Sequence, residues 1–422
     1  MSSTLNLGNG NWAVKEDSLL GYNNENGNYK PLPFDFTRAS SATVVNKEGL
    51  IETVQSGIPR IDFSDDVNGA LLAEPQRTNL ALNSETFSSY ATSNVNITSS
   101  STLSPDGTST AIKLALDNGT LSSNGGMSFP QSTTAGQIFS WSMFVKKAEY
   151  SYLTFSFGSN AAVGFHFDLD TGLITQALTS AQYTLIENKV ESYNNGWYRI
   201  SVSLTDVGGS GGRFVCIKPS PIEPTANNNN YSSTGDGTSG IYVWGAQLEE
   251  ATYPTSYIPT SGATVTRVAE TCSQTGIGSL INDSEGVLFA EIAALDNDGT
   301  NRIISLSDGT TTNRVSLIIS TTTNTIRAMA VSGSTTFDED HAVTSVLDYN
   351  KIAIKYKVND FALWINGVEV DTDNSGDTPT GLDRIVFDVG NGSLFPFYGK
   401  VNQLQVYPTA LSDAELTILT TL

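Results

Sequence analysis

The 422-residue sequence predicts an all-β protein, two antiparallel β-sandwiches preceded by an extended N-terminal segment. Three observations point there. Apolar and polar residues alternate with period two in one stretch after another, the pattern of half-buried antiparallel strands. Only 15% of residues are charged, and Ser, Thr, Asn and Gly take their place, so strand and turn formers abound while helix formers are scarce. Turn dipeptides recur between the alternating runs, and a single stretch carries a strong helix-start signal.

Length allows two or three domains, each able to bury its own core. Forty-three acidic against 22 basic side chains give a net charge of −21, which repels phosphate backbones and anionic membranes and argues against nucleic-acid binding. With only Cys216 and Cys272 there is no disulfide framework, and the two could equally be a pair or two inert thiols. Met1 to Gly10 has neither a basic start nor an apolar core, and no apolar run is long enough to span a bilayer, so a soluble protein is expected.

Taken in order, residues 1 to about 30 (GNGNW, YNNENGNY) are too polar to form a core and are expected to lean on another chain. In Pro33 to Phe63, Asn46 to Gly49 reads as a turn between the extended runs Ala42 to Val45 and Leu50 to Val54. Arg38 and Arg60 are candidate partners for Asp35 and Asp62 there. Further on, Phe139, Trp141, Met143 and Val145 share one side of a strand, as do Phe165, Phe167 and Leu169, and Tyr198, Ile200, Val202 and Leu204. His166, Asp168 and Asp170 face the other way. Two loops interrupt this region, Asp206 to Gly212 and Pro219 to Gly240, the second long enough to suggest a contact loop. Gly208 to Gly212 satisfies G-x-S-x-G, but a glycine-rich loop lacks the strand-to-helix turn of a nucleophile elbow.

Ile241 to Gly245 reads as the closing strand of the first sandwich. Pro254 and Pro259 then exclude both helix and central strand, which leaves a tail lying against a surface before Thr264 to Ala269 runs extended again. From about Gly276 seven strands follow: Val287 to Ile292, Arg302 to Leu306, Arg314 to Ile319, Thr325 to Val331, Ile352 to Val358, Phe361 to Ile365 and Arg384 to Val389. Asn366-Gly367 marks a hairpin. Ser412 with Glu415 forms a capping box, predicting a short helix with Leu416 and Leu419 inward.

Several stretches resemble known families. TNLALNSETFSSY, SPDGTSTAIKL, FSWSMFVKK, FDLDTG, GWYRISVSL and IYVWGAQLEE with YPTSYIPT follow, between about residues 78 and 270, the order seen in carbohydrate-binding-module-like jelly rolls of bacteriophage virion proteins, of the tail-fibre and head-fibre kind. Pro33 to Phe63 and ALLAEPQRTNL resemble the opening of the same proteins, and KYKVNDFALWINGVEV with FYGKVNQLQVYPTALSDAEL resembles the concanavalin A-like, or laminin-G-like, sandwich. The resemblance implies four parts: a virion-attachment and oligomerisation segment over 1–79, a jelly roll over 80–262, a linker over 263–279 and a concanavalin A-like sandwich over 280–422. It also implies a fibre or decoration protein on the head or tail of a virion. Such a protein would be a homotrimer, held to other virion structural proteins through its N-terminal segment and adhering to host-surface or environmental glycans without catalysis.

Sugar binding needs an aromatic ring for the apolar face of a pyranose, and Trp197, Tyr242, Trp244, Trp364 and Tyr398 are the candidates. Calcium is the one candidate cofactor, none being required. Asp371, Asp373, Ser375 and Asp377 reproduce the first half of a calcium loop, although its twelfth position is Leu382. No catalytic residues are expected. The Glu-x-Asp-x-x-Glu pattern of concanavalin A-like glucanases has its nearest approach at Glu369, Asp371 and Asn374, which lacks the last carboxylate. The alternative function is a polysaccharide depolymerase or glycosidase on that fold.

Overall fold

The structure is a computed structural model describing residues 2–23, 30–121, 125–158, 162–208 and 211–422. Gly209 and Ser210 of the G-x-S-x-G stretch lie outside the described residues. It is all-β, as predicted, with one α-helix, Asp413–Thr420, among the described residues. The chain divides into two units, one made of residues 1–47, 53–76 and 268–422, the other of 48–52 and 77–267.

The 77–267 unit holds two six-stranded antiparallel sheets. One runs Ala91–Ser93, Gly126–Thr133, Gly211–Ser220, Tyr152–Phe157, Val163–Asp168, Leu173–Leu178; the other Val95–Ser99, Ile112–Leu116, Gly240–Glu249, Ile138–Lys147, Trp197–Asp206, Tyr183–Tyr193. Neighbours are mostly non-consecutive, so the strands cross between layers in the manner of a jelly roll. The predicted inward residues, Phe139, Trp141, Met143, Val145, Phe165, Phe167, Ile200, Val202 and Leu204, all sit in the core between the sheets.

Some strands are more than half-buried: Val163 to Asp168 is buried on both faces, whereas its neighbour Leu173–Leu178 keeps one face exposed. Two covering segments explain this. The Pro-interrupted tail after Glu249 lies on the outer face of the second sheet, where Gln247 donates to the Thr255 carbonyl at 3.1 Å and accepts from the Ile258 amide at 2.6 Å. Arg199, also on that face, donates to the Thr255 carbonyl at 2.7 Å. Residues 221–232 cover part of the first sheet, through contacts described below.

The other unit departs from the predicted boundaries. The described residues of 1–47 and 53–76 form no unit of their own there; they complete the C-terminal sandwich. Leu5–Gly8 pairs antiparallel with Gly399–Tyr407, Ala70–Ala73 pairs with the same strand, and Lys30–Thr37 pairs with Thr271–Thr275. Leu5, Leu7, Leu19, Phe34, Phe36 and Leu71 enter one core with Leu288, Ile304, Leu317, Ile354, Leu363 and Leu404. The polar composition of the N-terminal stretch hid this, because a strand joining an existing sheet needs only alternate apolar side chains. All seven predicted C-terminal strands are present, the last shortened to Arg384–Val386, and Ser334–Ala342, Val368–Asp373 and Gly399–Tyr407 are added.

Local signals hold closely. Asn366 and Gly367 have φ of 50° and 86°, the doubly left-handed turn of a two-residue hairpin. Glu415 accepts from the Ser412 amide at 2.9 Å, closing the capping box, and Leu416 is fully buried. The expected Arg38–Asp35 and Arg60–Asp62 pairings do not organise this unit. Instead Arg38 and Arg60 both grip Glu270, at 2.7 Å and 2.5 Å, and Arg60 also meets Glu74 at 2.8 Å, all four side chains almost wholly buried. Asp62 takes Lys400 at 3.2 Å. Burial would lower the Arg60 pKa, but the charges of Glu270 and Glu74 outweigh it and hold the guanidinium protonated.

Candidate functional site

Each predicted aromatic platform has a definite place. Trp197 and Trp244 lie on the outer face of the second sheet of the 77–267 unit, in a buried cluster with Phe144, Tyr257, Ile51 and Ala111, and Tyr242 packs half-buried at its edge. The Trp244 ring is 5.4 Å from Phe144 and 4.6 Å from Tyr257. Both indoles are satisfied internally, Trp197 donating to the Leu103 carbonyl and Trp244 to Thr110, each at 2.9 Å. Trp364 is buried beneath the C-terminal helix with Leu411 and Leu416. A ring covered on both faces cannot stack on a sugar, so Trp197, Trp244 and Trp364 are corrected to core residues. Tyr398 is half-buried.

The exposed aromatics among the described residues are instead two phenylalanines, Phe214 and Phe395. Sequence reasoning passed over both, because no pattern separates an outward phenylalanine from a core one. Phe395 has a left-handed backbone, φ 53°, as has the buried Phe87, φ 54°.

The predicted calcium residues do not converge. Asp373 Oδ1 accepts from the Ser375 amide and hydroxyl at 2.9 and 2.8 Å, and Asp371 Oδ1 accepts from the Thr372 amide at 2.8 Å. Asp377 is exposed. Among the described residues no group of three His, Cys, Asp or Glu side chains could hold a metal ion. What Asp371 does meet is Glu339, on the strand Ser334–Ala342: burial, then Asp371's hydrogen bond and charge, raise the Glu339 pKa above the usual carboxylate range.

A second polar cluster stands on the outer face of the first sheet of the 77–267 unit, and no motif announced it. His166 Nε2 contacts the Ala226 carbonyl at 2.7 Å, which requires a proton on that nitrogen; Nδ1 then accepts from Thr154 Oγ1 at 2.8 Å, and Thr154 in turn meets Tyr231 Oη at 2.8 Å. Lys218 Nζ lies 3.9 Å from the centre of the Tyr231 ring and donates to the Tyr231 carbonyl at 2.5 Å. Burial brings the Lys218 pKa down to about 8 and depresses that of His166. These contacts fasten residues 226–231 to the sheet. Lys218 and His166 are both turned into this fastening, and burial pushes the Cys216 thiol up to about 12, away from the reactive thiolate. Cys216 and Cys272 are both free and buried.

A third region is the end of the C-terminal sandwich where loops 308–312 and 389–396 meet. Ser307 Oγ donates to the Gly390 carbonyl at 2.7 Å, and Asp383 N to the Ser307 carbonyl at 3.0 Å. Asp308 accepts from Thr310 N at 2.8 Å and Asn313 Nδ2 at 3.0 Å. Although burial opposes it, these bonds hold its pKa below the usual carboxylate value. This rim is built of Asp, Thr, Asn, Ser and Gly, with Leu394 and Phe395 projecting from it.

No family model matches the chain, and no curated protein matches it. Among solved structures it is similar to the CBM40 module of the Ruminococcus gnavus IT-sialidase bound to alpha2,3 sialyllactose, at 20% identity over 33% of this chain and 84% of that one, TM-score 0.29. It is similar also to domain 4 of AbnA, a GH43 extracellular arabinanase of Geobacillus stearothermophilus in complex with arabinotriose, at 16% identity over 39% of this chain and 81% of that one, TM-score 0.31. A third is the binding domain of botulinum neurotoxin serotype G, at 12% identity over 35% and 39% of the respective chains, TM-score 0.29. Likeness at this level leaves the ligand of this chain open.

Proposed function

We propose that this protein is a non-enzymatic, glycan-adhesive component of a phage virion, a fibre or decoration protein of the head or tail, working as a homotrimer beside other virion structural proteins. The observation that carries the adhesive part is the loop rim of the C-terminal sandwich, where an outward aromatic side chain stands among hydroxyl, amide and carboxylate groups on a rigid β frame. Weak contacts of this kind gain strength by repetition on a particle. The virion part rests on the motif order between residues 78 and 270, and the sandwich itself is neutral between functions.

A depolymerase, the second reading, would have to draw on the pairing of Glu339 with Asp371, and the spacing of that pair speaks against it. Two glycosidase carboxyls must stand roughly 5–9.5 Å apart to flank a glycosidic bond, and a directly hydrogen-bonded pair is closer than that. Immunogold labelling of intact particles with antibody against this chain, run beside a reducing-sugar assay on host polysaccharide, tests both readings. Labelled particles without released oligosaccharide are expected. Release of oligosaccharide by the purified chain would overturn the non-enzymatic reading, and unlabelled particles would overturn the virion assignment.

A further inference from the structure

The loop from Val389 to Phe397 is fixed at several points. Asp388 Oδ1 accepts the Gly390 and Gly392 amides at 2.7 and 3.1 Å, Asn391 Oδ1 accepts the Ser393 amide at 3.1 Å, and the Val389 amide donates to the Leu394 carbonyl at 3.0 Å. Pro396 bridges to Ile303, and Phe397 is anchored in the core. Between these anchors, Leu394 and Phe395 are 51% and 48% exposed. Phe395 has a left-handed backbone, a conformation that disfavours a bulky side chain. The loop therefore carries a strained backbone and exposed apolar surface together, each unfavourable for the isolated fold.

What surrounds the ring selects the occupant. A side chain built at Gly392 would meet nothing within 4 Å, so there is open space beside the loop. Ser393, Asn391 and Thr310 supply hydroxyl and amide groups on the same rim. Of the charges at this end, Asp308 is held by Thr310 and Asn313, Arg384 pairs with Asp383 at 2.7 Å, and Arg314 donates to the neutral Thr311 carbonyl. An anionic sugar would have to approach a chain of net charge −21, which favours a neutral one.

We propose that Phe395 is the stacking platform of a subsite for a neutral pyranose, formed by loops 308–312 and 389–396. This rests on the glycan-adhesion reading and adds the residue and the class of sugar. The ring takes the apolar face of the pyranose, while Asn391, Ser393 and Thr310 address its hydroxyls.

The test uses the full chain on a printed array of neutral hexose oligosaccharides and their sialylated and uronic-acid counterparts, with Phe395→Gly, Phe395→Trp and wild type side by side. Phe395→Gly is expected to keep or raise the melting temperature, because glycine removes the left-handed strain, and to weaken neutral-glycan binding about tenfold or more, the loss of roughly 1.4 kcal/mol of ring contact. Phe395→Trp should retain binding. If wild type binds no glycan, the adhesion reading fails with the subsite. If wild type binds and Phe395→Gly binds equally, or if acidic sugars are preferred, adhesion stands and the subsite is wrong. Should Phe395→Gly instead change the molar mass in solution, the ring serves contact between copies and the proposal is overturned.

Discussion

Replacing Glu270 by Gln places the largest load on the smallest change. Glu270 receives Arg60 through both Nε (2.9 Å) and Nη2 (2.5 Å), Arg38 through Nη1 (2.7 Å), and the Glu74 amide (2.9 Å). Both arginine side chains are 0% exposed, so removing the charge leaves two buried guanidiniums beside the single remaining carboxylate of Glu74. Breaking a buried pair in this way costs about 3–5 kcal/mol. Because Gln keeps the volume and one acceptor, we expect the lower end, about 3 kcal/mol. Equilibrium urea unfolding of the full chain reads it. With a slope of about 3 kcal/mol per molar, the midpoint of the transition that unfolds residues 1–47, 53–76 and 268–422 together should fall by about 1 M. Hydrogen exchange followed by mass spectrometry assigns that transition to its segments. A midpoint lower by less than about 0.2 M would show that the four-residue cluster does not hold this unit together. Loss confined to residues 268–422, with 1–76 unchanged, would refute the claim that the N-terminal strands belong to the same sandwich.

Other outcomes follow from individual groups. His166 is buried in its neutral form, its folded pKa depressed below 6.5 chiefly by burial, so its fastening of residues 226–231 is complete above about pH 6.5 and weakens as pH falls through the folded value. Amide exchange of 226–231, corrected for intrinsic rate, should accelerate between about pH 7 and 5; identical protection at both ends would sink this. Glu339 has a raised pKa, so it contributes stability at low pH that is lost as pH rises through its folded value. Glu339→Gln should therefore raise the melting temperature near pH 8 and have little effect near pH 4, and an equal effect at both would remove the Asp371 repulsion from the account. Chelation with EDTA is expected to leave the melting temperature unchanged, since Asp371, Asp373, Ser375 and Asp377 do not converge; a drop restored by calcium would reinstate a metal there.

Much of the fold was legible because its signals are local. Period two located the core strands, Asn366-Gly367 their hairpin, Ser412 and Glu415 the helix Asp413–Thr420, and Pro254 with Pro259 the tail lying on a sheet. What could not be read were the long-range partners. Leu5–Gly8 finds Gly399–Tyr407 across nearly the whole chain, and Arg38 and Arg60 pass over the nearby Asp35 and Asp62 for Glu270. The site was less legible for a related reason. Composition offers tryptophan and tyrosine as sugar platforms, but large aromatics gain most by burial, and Trp197, Trp244 and Trp364 took that course. The ring left outside, Phe395, sits in a bent loop whose path no residue type announces.

The central claim is that the intact chain holds glycans without cleaving them. Its most direct measurement is retention of the full-length protein on an immobilised neutral polysaccharide, with the length distribution of the bound polymer determined after elution. Salt-insensitive retention with the polymer length unchanged is the result expected, and failure to be retained, or recovery of shortened chains, would contradict the account.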